Sequence, residues 1–288
     1  MKTHESYPQE VDAVLELALR EDIGSGDVTT GSIVPEDAVL TGEVRAKGTG
    51  VVSGLGLSGA VFRKLDPDCV WEEIVHDGDR VSPGDTLARV TGRSRAILSA
   101  ERTALNVLQK MSGISTLTSF FVEAVAGSGV KIKDTRKTLP GLRWISKYAV
   151  AVGGGHNHRA GLYDGVLIKD NHIKAAGSIT AAVERAGRGV GEDFSIEVET
   201  KTMEQVKEAV SCGVDVIMLD NMDIREIGEA VRLIGRRALV EVSGGVTLEN
   251  VRDLAQSGVD FISVGALTHS APCLDISFDV LDWKLRAK

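Results

Sequence analysis

Residues 195-SIEVETKTMEQVKEAVSCGVDVIMLDN-221 read as one complete strand–helix–strand unit. The runs 195–200 and 216–221 are short, β-branched and apolar, as strands buried in a parallel sheet are. Between them, over 202–213, Val206, Ala209 and Val210 share a helical face; Thr202 is a good N-cap and Gly213 a good stop. The pattern recurs outward from this unit. Comparable runs stand at 130–135, 165–169, 238–245 and 261–267, with helical patterns over 223–235 and 247–258. Alternation at roughly 20–35 residues is the mark of right-handed βαβ units around a parallel sheet.

A doubly wound sheet and a barrel share that alternation, and the strand ends choose between them. Lys169, Glu199, Asp220, Ser243 and Gly265 each fall at or just after the C-terminal end of an expected strand. In a barrel those ends converge on one mouth, whereas in an open sheet they spread along an edge. The expectation is therefore an α/β barrel. Six units, against the eight of a full barrel, make it incomplete or open.

The first 110 or so residues read differently. A helix is expected over 10–24, then short strands with Gly/Asp turns over 40–54 and 70–92, then a helix over 99–113. This divides the chain into an N-terminal domain, 1–112, and a barrel, 113–273. The acidic tail, 274–288, is expected to return to the first domain.

Composition excludes several classes. With 33 Lys+Arg against 41 Asp+Glu the net charge is −8, which argues against general nucleic-acid or anionic-membrane binding. The cysteines Cys69, Cys212 and Cys273 are widely spaced and form neither a disulfide framework nor a zinc motif. The N-terminal residues MKTHESYPQEVDAV carry no apolar leader segment, and no run reaches transmembrane length. A cytoplasmic protein is expected.

Against that acidic background, 133-KDTRKTLPGLR-143 holds four cations. From Lys131 to Lys174 there are nine lysines and arginines against three acids, with His156, His158 and His172. A charge run is usually a solvated face. Placement weakens that reading, because Arg136 and Lys137 follow one strand, His158 and Arg159 follow 153-GGG-155, and Lys169 ends another strand. Two arginines near one pocket suit planar carboxylate or phosphate recognition, and lysines add point charge for phosphates. The histidine pair in 156-HNH-158 lacks further ligands for a zinc site.

Opposite these cations stand Glu199 and Asp220. Three readings stay open: a general acid/base pair, ligands for sugar hydroxyls and Mg²⁺, or ion pairs with Lys169 or Lys201. Two glycine elements follow. Ser243-Gly244-Gly245 precedes a helix expected near Thr247, and Gly265 lies one unit later; both are places for a phosphate. The ligand implied is anionic at both ends, a phosphorylated sugar and a carboxylate-bearing partner.

The combination KDTRKTLPGLR, GGGHNHR, LIKDNH, EVET, MLDN, EVSGG and SVGALTHS closely resembles the quinolinate phosphoribosyltransferase family. EDIGSGDVTT (21–30) and AERTALN (100–106) resemble its N-terminal domain, so the likeness covers nearly the whole chain in order. The resemblance implies an N-terminal α/β sandwich domain and an open α/β barrel of the type II phosphoribosyltransferase kind, working as a homodimer or an assembly of dimers. It implies conversion of quinolinate and phosphoribosyl pyrophosphate to nicotinate mononucleotide, CO₂ and pyrophosphate, with Mg²⁺. Carried over by motif, Arg136, Arg159 and His158 hold the quinolinate carboxylates, with Lys137 and Lys169 lining the site. Arg102 reaches it from the neighbouring subunit. Glu199 and Asp220 address the ribose hydroxyls and metal. Ser243, Gly244, Gly245, Gly265 and His269 hold the 5′-phosphate. A Schiff-base aldolase using Lys169 and a non-catalytic anion receptor are the rivals from other classes.

Overall fold

The computed structural model describes residues 7–190 and 194–285; the first six residues of the expected N-terminal domain and the last three of its returning tail lie outside them. The chain groups into two compact units, the first comprising residues up to 117, 139–153 and from 271, the second 118–138 and 154–270.

In chain order the first unit begins with α1 (Gln9–Ile23), α2 (Val28–Ile33), β1 (Ala38–Ala46), β2 (Gly50–Val51) and α3 (Leu55–Leu65). It continues through β3 (Val70–Glu73), β4 (Arg80–Val81), β5 (Thr86–Arg93) and α4 (Ser94–Ala124), inside which the unit boundary falls. Then come β6 (Lys131–Lys133), α5 (Arg143–Val152), β7 (Val166–Ile168), α6 (Asp170–Ala176), α7 (Ile179–Gly189), β8 (Ile196–Thr200) and α8 (Met203–Ser211). The chain ends with β9 (Val216–Asp220), α9 (Ile224–Ile234), β10 (Leu239–Ser243), α10 (Val251–Gln256), β11 (Phe261–Ser263), α11 (Ala266–His269) and β12 (Ile276–Leu285).

The first unit is an antiparallel sheet of order β12-β1-β5-β3 with helices packed on it. Val44, Leu87, Leu105, Leu108 and Ile276 share its core, so β12 and α4 are sealed to the sheet by apolar burial. The β12 strand pairs along the whole of β1, which brings the end of the chain back to this unit. The DGD and PGD stretches at 77–79 and 83–85 are turns, as read. His76 donates its backbone N–H to Asp79 at 2.8 Å and Ser82 to Asp85 at 2.8 Å, with Gly78 and Gly84 at positive φ. No described helix is long and apolar enough to cross a membrane.

The second unit is a six-stranded parallel sheet of order β6-β11-β10-β9-β8-β7. The six expected strands are all present, and the sheet is open, with β6 and β7 as its two edges. Caps hold the helices where the sequence marks them. Thr202 accepts the Gln205 N–H at the start of α8, and Asp223 with Glu226 forms a capping box on α9.

By compactness the first unit extends to residue 117, inside α4, and takes in α5. That takes Arg143 and Lys147, the latter buried, away from the cationic set of the second unit. The helix expected from Thr247 starts at Val251. Asn250 explains the delay, because its Oδ1 accepts the Thr247 N–H at 2.9 Å and its Nδ2 donates to the Gly245 carbonyl at 2.9 Å.

Candidate active site

Parallel register decides which side chains meet. Ile132, Ile168, Val198, Ile217, Val240 and Ile262 alternate to one side and are all buried. On the other side, Lys133, Ser263, Ser243 and Asp220 stand in one row across the sheet. The next row holds Phe261, Glu241, Met218 and Glu199, and Glu197 lies two residues below Glu199. A sheet face carrying this many charges cannot be a packing surface alone, because each buried charge must find a partner.

Backbone pairing gathers the cations. The segment after 153-GGG-155 bridges to β6: His156 donates its N–H to the Ile132 carbonyl at 2.8 Å and accepts from Asp134 N–H at 3.0 Å. The fully buried Asp134 carboxylate then takes the His158 N–H at 2.8 Å. This holds the backbone of His158 against the end of β6, and Arg159 is in electrostatic contact with Arg136. Arg159 donates through Nη1 to the Gly165 carbonyl at 2.9 Å, and its Nε is buried without a hydrogen-bond partner. Burial pushes the Arg159 guanidinium pKa down, and the neighbouring Arg136 charge pushes it further; Glu197 and Asp164 oppose the shift. Two guanidinium groups in electrostatic contact, one half-buried, form a site that an anion with two carboxylates would stabilise.

At the end of the neighbouring strands the carboxylates are in lysine hands. Lys169 Nζ is 2.7 Å from Glu199 Oε2. Lys201 Nζ is 3.4 Å from Asp170 Oδ2 and 3.8 Å from Asp220 Oδ2. The ion-pair reading of Glu199 and Asp220 is thus what the geometry displays, and both side chains remain partly open to solvent. Their donor set is oxygen only, which suits a hard cation such as Mg²⁺.

The glycine loops follow β10 and β11, which lie between β9 and β6 in the sheet. Asn221 has φ 57° and donates its N–H to the Ser243 carbonyl at 2.9 Å. Gly244, at φ 94°, lies so close that an added Cβ would sit 2.3 Å from Asn221 Oδ1. Only glycine fits there. Asn221, Asp223, Gly244, Gly245 and Asn250 line a cleft of about 430 Å³. Gly265 sits against His269 and Lys137: an added Cβ would be 3.1 Å from His269 Nε2 and 3.3 Å from Lys137 Cδ. Thr268 Oγ1 ties this corner by donating to the Lys137 carbonyl at 2.8 Å.

Arg102 is exposed on α4, in the first unit, while the other sequence-predicted site residues belong to the second. The His158 ring places its Nε2 3.1 and 3.6 Å from the buried carboxylates of Glu197 and Glu241. Sequence reasoning passed over Glu197 and Glu241 and left Lys133 unassigned. A signal was available: acids at alternating positions inside otherwise apolar strands, in IEVET and LVEVS.

Comparison with known proteins bears on this geometry. Residues 27–112 match the model of the quinolinate phosphoribosyl transferase N-terminal domain, and residues 114–279 that of its C-terminal domain. A Bacillus subtilis protein named "Probable nicotinate-nucleotide pyrophosphorylase (carboxylating)" is 45% identical over 262 residues, covering 90% of each chain. The chloroplastic nicotinate-nucleotide pyrophosphorylase (carboxylating) of Arabidopsis thaliana is 44% identical, covering 96% of this chain and 84% of the relative. The crystal structure of NadC from Streptococcus pyogenes superposes with a TM-score of 0.92 at 39% identity, covering 98% of this chain and all of that one.

Proposed function

Because the chain belongs to the quinolinate phosphoribosyl transferase family, we propose that it transfers the phosphoribosyl group of phosphoribosyl pyrophosphate to quinolinate with decarboxylation. The products are nicotinate mononucleotide, CO₂ and pyrophosphate, as in de novo NAD synthesis. The observation that carries this reading is that Arg136, in electrostatic contact with Arg159, follows β6 while Glu199 and Asp220 end β8 and β9 at the same end of one parallel sheet. Such a site takes a dicarboxylate on one side and a developing cation on the other.

In this reading Arg136 and Arg159 clamp the two carboxylates, with Lys137 and Lys169 adding charge. The ribosyl C1–oxygen bond breaks as pyrophosphate leaves, and the ring nitrogen of quinolinate forms the new bond to C1. The transition state resembles an oxocarbenium ion, which Glu199 and Asp220 stabilise through their negative charge. The pyridinium so formed accepts the electron pair left at C2 when the 2-carboxylate departs as CO₂, and C2 takes a proton. Transfer therefore precedes decarboxylation. Ser243, Gly244, Gly245, Gly265 and His269 receive the 5′-phosphate.

Mg²⁺ is the proposed cofactor, held by Glu199 and Asp220 directly or through water, where it would neutralise charge on the departing pyrophosphate. Arg102 completes the site from a second copy of the chain in a homodimer. Three free cysteines support a reducing compartment, the cytoplasm. The aldolase reading loses ground because the Lys169 amine is engaged by Glu199, whereas a Schiff-base nucleophile must present a free neutral amine.

The test is to incubate the protein with quinolinate, phosphoribosyl pyrophosphate and Mg²⁺. Nicotinate mononucleotide is expected. Its absence, with both substrates intact, would overturn the reading.

A further inference from the structure

Beneath the arginine pair lies a buried charged cluster that the reaction above does not use. Lys133 Nζ is 2.7 Å from Glu241 Oε2 and 3.7 Å from the centre of the Phe261 ring. Ser263 Oγ donates to Glu241 Oε1. His158 Nε2 lies 3.1 Å from Glu197 Oε2 and 3.6 Å from Glu241 Oε1. Glu241 is fully buried and Glu197 is 7% exposed.

One imidazole and two carboxylates are, by type, a possible set of metal ligands. The second ring nitrogen decides against it. The backbone N–H of Arg159 donates to His158 Nδ1 at 2.7 Å. An amide can only donate, so Nδ1 accepts and carries no proton. In the neutral ring the proton is then on Nε2, the atom that faces the carboxylates. A metal-bound histidine needs the reverse arrangement, a lone pair towards the metal and the other N–H donated outward. Lys133 already supplies the cation that Glu241 requires.

We propose that Lys133, Glu241 and Glu197 are positioning residues that hold His158 as its Nε2–H tautomer and, through it, set Arg159 against the carboxylates of the pyridine substrate. The chain of contacts is continuous. Asp134 fixes the His158 backbone, the His158 ring fixes the Arg159 backbone, and the Gly165 carbonyl fixes the far end of the Arg159 side chain. Glu197 also offsets the cost of burying Arg159 beside Arg136. The proposal rests on the quinolinate reading for its substrate, but not for its tautomer.

Two measurements test it. The first is ¹⁵N NMR of protein labelled in the histidine rings, with the His158 signals identified by their loss in His158→Gln. A bare Nδ1 beside a protonated Nε2 is expected, unmoved by added Zn²⁺; a protonated Nδ1, or Zn²⁺ binding at this ring, overturns the proposal. This needs no substrate, so it stands apart from the outcome of the quinolinate assay. The second is kinetic. Glu197→Ala and His158→Ala should raise KM for quinolinate about tenfold or more, with KM for phosphoribosyl pyrophosphate within about twofold. His158→Asn, whose amide oxygen can take the place of Nδ1 as acceptor, should recover much of the loss. An equal rise in both KM values, or no recovery in the Asn variant, overturns it.

Discussion

Lys169 Nζ stands 2.7 Å from Glu199 Oε2 and so joins the C-terminal ends of two neighbouring parallel strands, β7 and β8. The carboxylate is the more buried partner, its side chain 10% exposed against 44% for the lysine. Removing the lysine takes away the partner that orients this nearly buried carboxylate, together with the charge that Lys169 adds for the anionic substrates in the proposed reading. Lys169→Met should lower kcat by about a hundredfold. The double variant Lys169→Met/Glu199→Gln should lose far less than the product of the two single losses, because the pair acts as one unit. Strictly multiplicative losses in kcat would show that the two residues act independently.

Arg136 should discriminate between substrates. Loss of one charged hydrogen-bonding group to a carboxylate costs about 1.5–3 kcal/mol, or roughly ten- to a hundredfold in binding. Arg136→Ala should weaken quinolinate binding by that factor and leave phosphoribosyl pyrophosphate binding nearly unchanged. Calorimetric titration with each ligand separates the cases, and equal loss of both would contradict the assignment.

Arg102 should act in trans. If it reaches the site of a second copy, a mixture of Arg102→Ala and Arg136→Ala chains forms some sites with neither substitution. Neither variant alone should turn over appreciably, and the mixture should regain activity as subunits exchange. Proven exchange without any recovery would place Arg102 outside a shared site.

Stability in acid should depend on Asp66, which holds the β5–α4 junction by accepting the Arg93 backbone N–H at 2.7 Å and its Nε at 3.0 Å. Burial pushes the Asp66 carboxyl pKa up, but the Arg93 hydrogen bonds and charge outweigh it and hold it below the usual carboxylate value. A carboxyl lower in the folded than in the unfolded state contributes stability above its unfolded value, near pH 4, and loses it as pH falls through the folded value. Asp66→Asn should therefore cost about 1–3 kcal/mol at neutral pH, and the gap from wild type should close as the pH drops below about 4. Urea unfolding at the two pH values measures it. A gap that persists unchanged in acid would contradict the account.

The parallel sheet was legible because its strands are short β-branched runs and its helices begin at strong caps such as Thr202 and Asp223. The exposed charges at strand ends were legible for the same reason. Gly113 misled: it reads as a helix stop, yet α4 runs on to Ala124. An added Cβ at Gly113 would lie 1.9 Å from the Pro272 carbonyl, so the glycine serves close approach, not termination. The late start of α10 was hidden because the Asn250 side chain binds back to Thr247 and Gly245, a loop contact that only geometry shows. Lys133, Glu197 and Glu241 are brought together through register across five strands, and register is not written in any one of them. With them, KDTRKTLPGLR resolves into separate tasks. Lys133 points to the buried cluster, Asp134 pins His158, Arg136 and Lys137 are the residues the proposed reading gives to the substrate, and Arg143 starts α5.

The most direct test uses quinolinate labelled with ¹³C in its 2-carboxylate, with phosphoribosyl pyrophosphate and Mg²⁺. The account predicts labelled CO₂, pyrophosphate and nicotinate mononucleotide in equal amounts, with no CO₂ formed ahead of pyrophosphate. Labelled CO₂ without pyrophosphate, or a nucleotide that keeps the label, would contradict it.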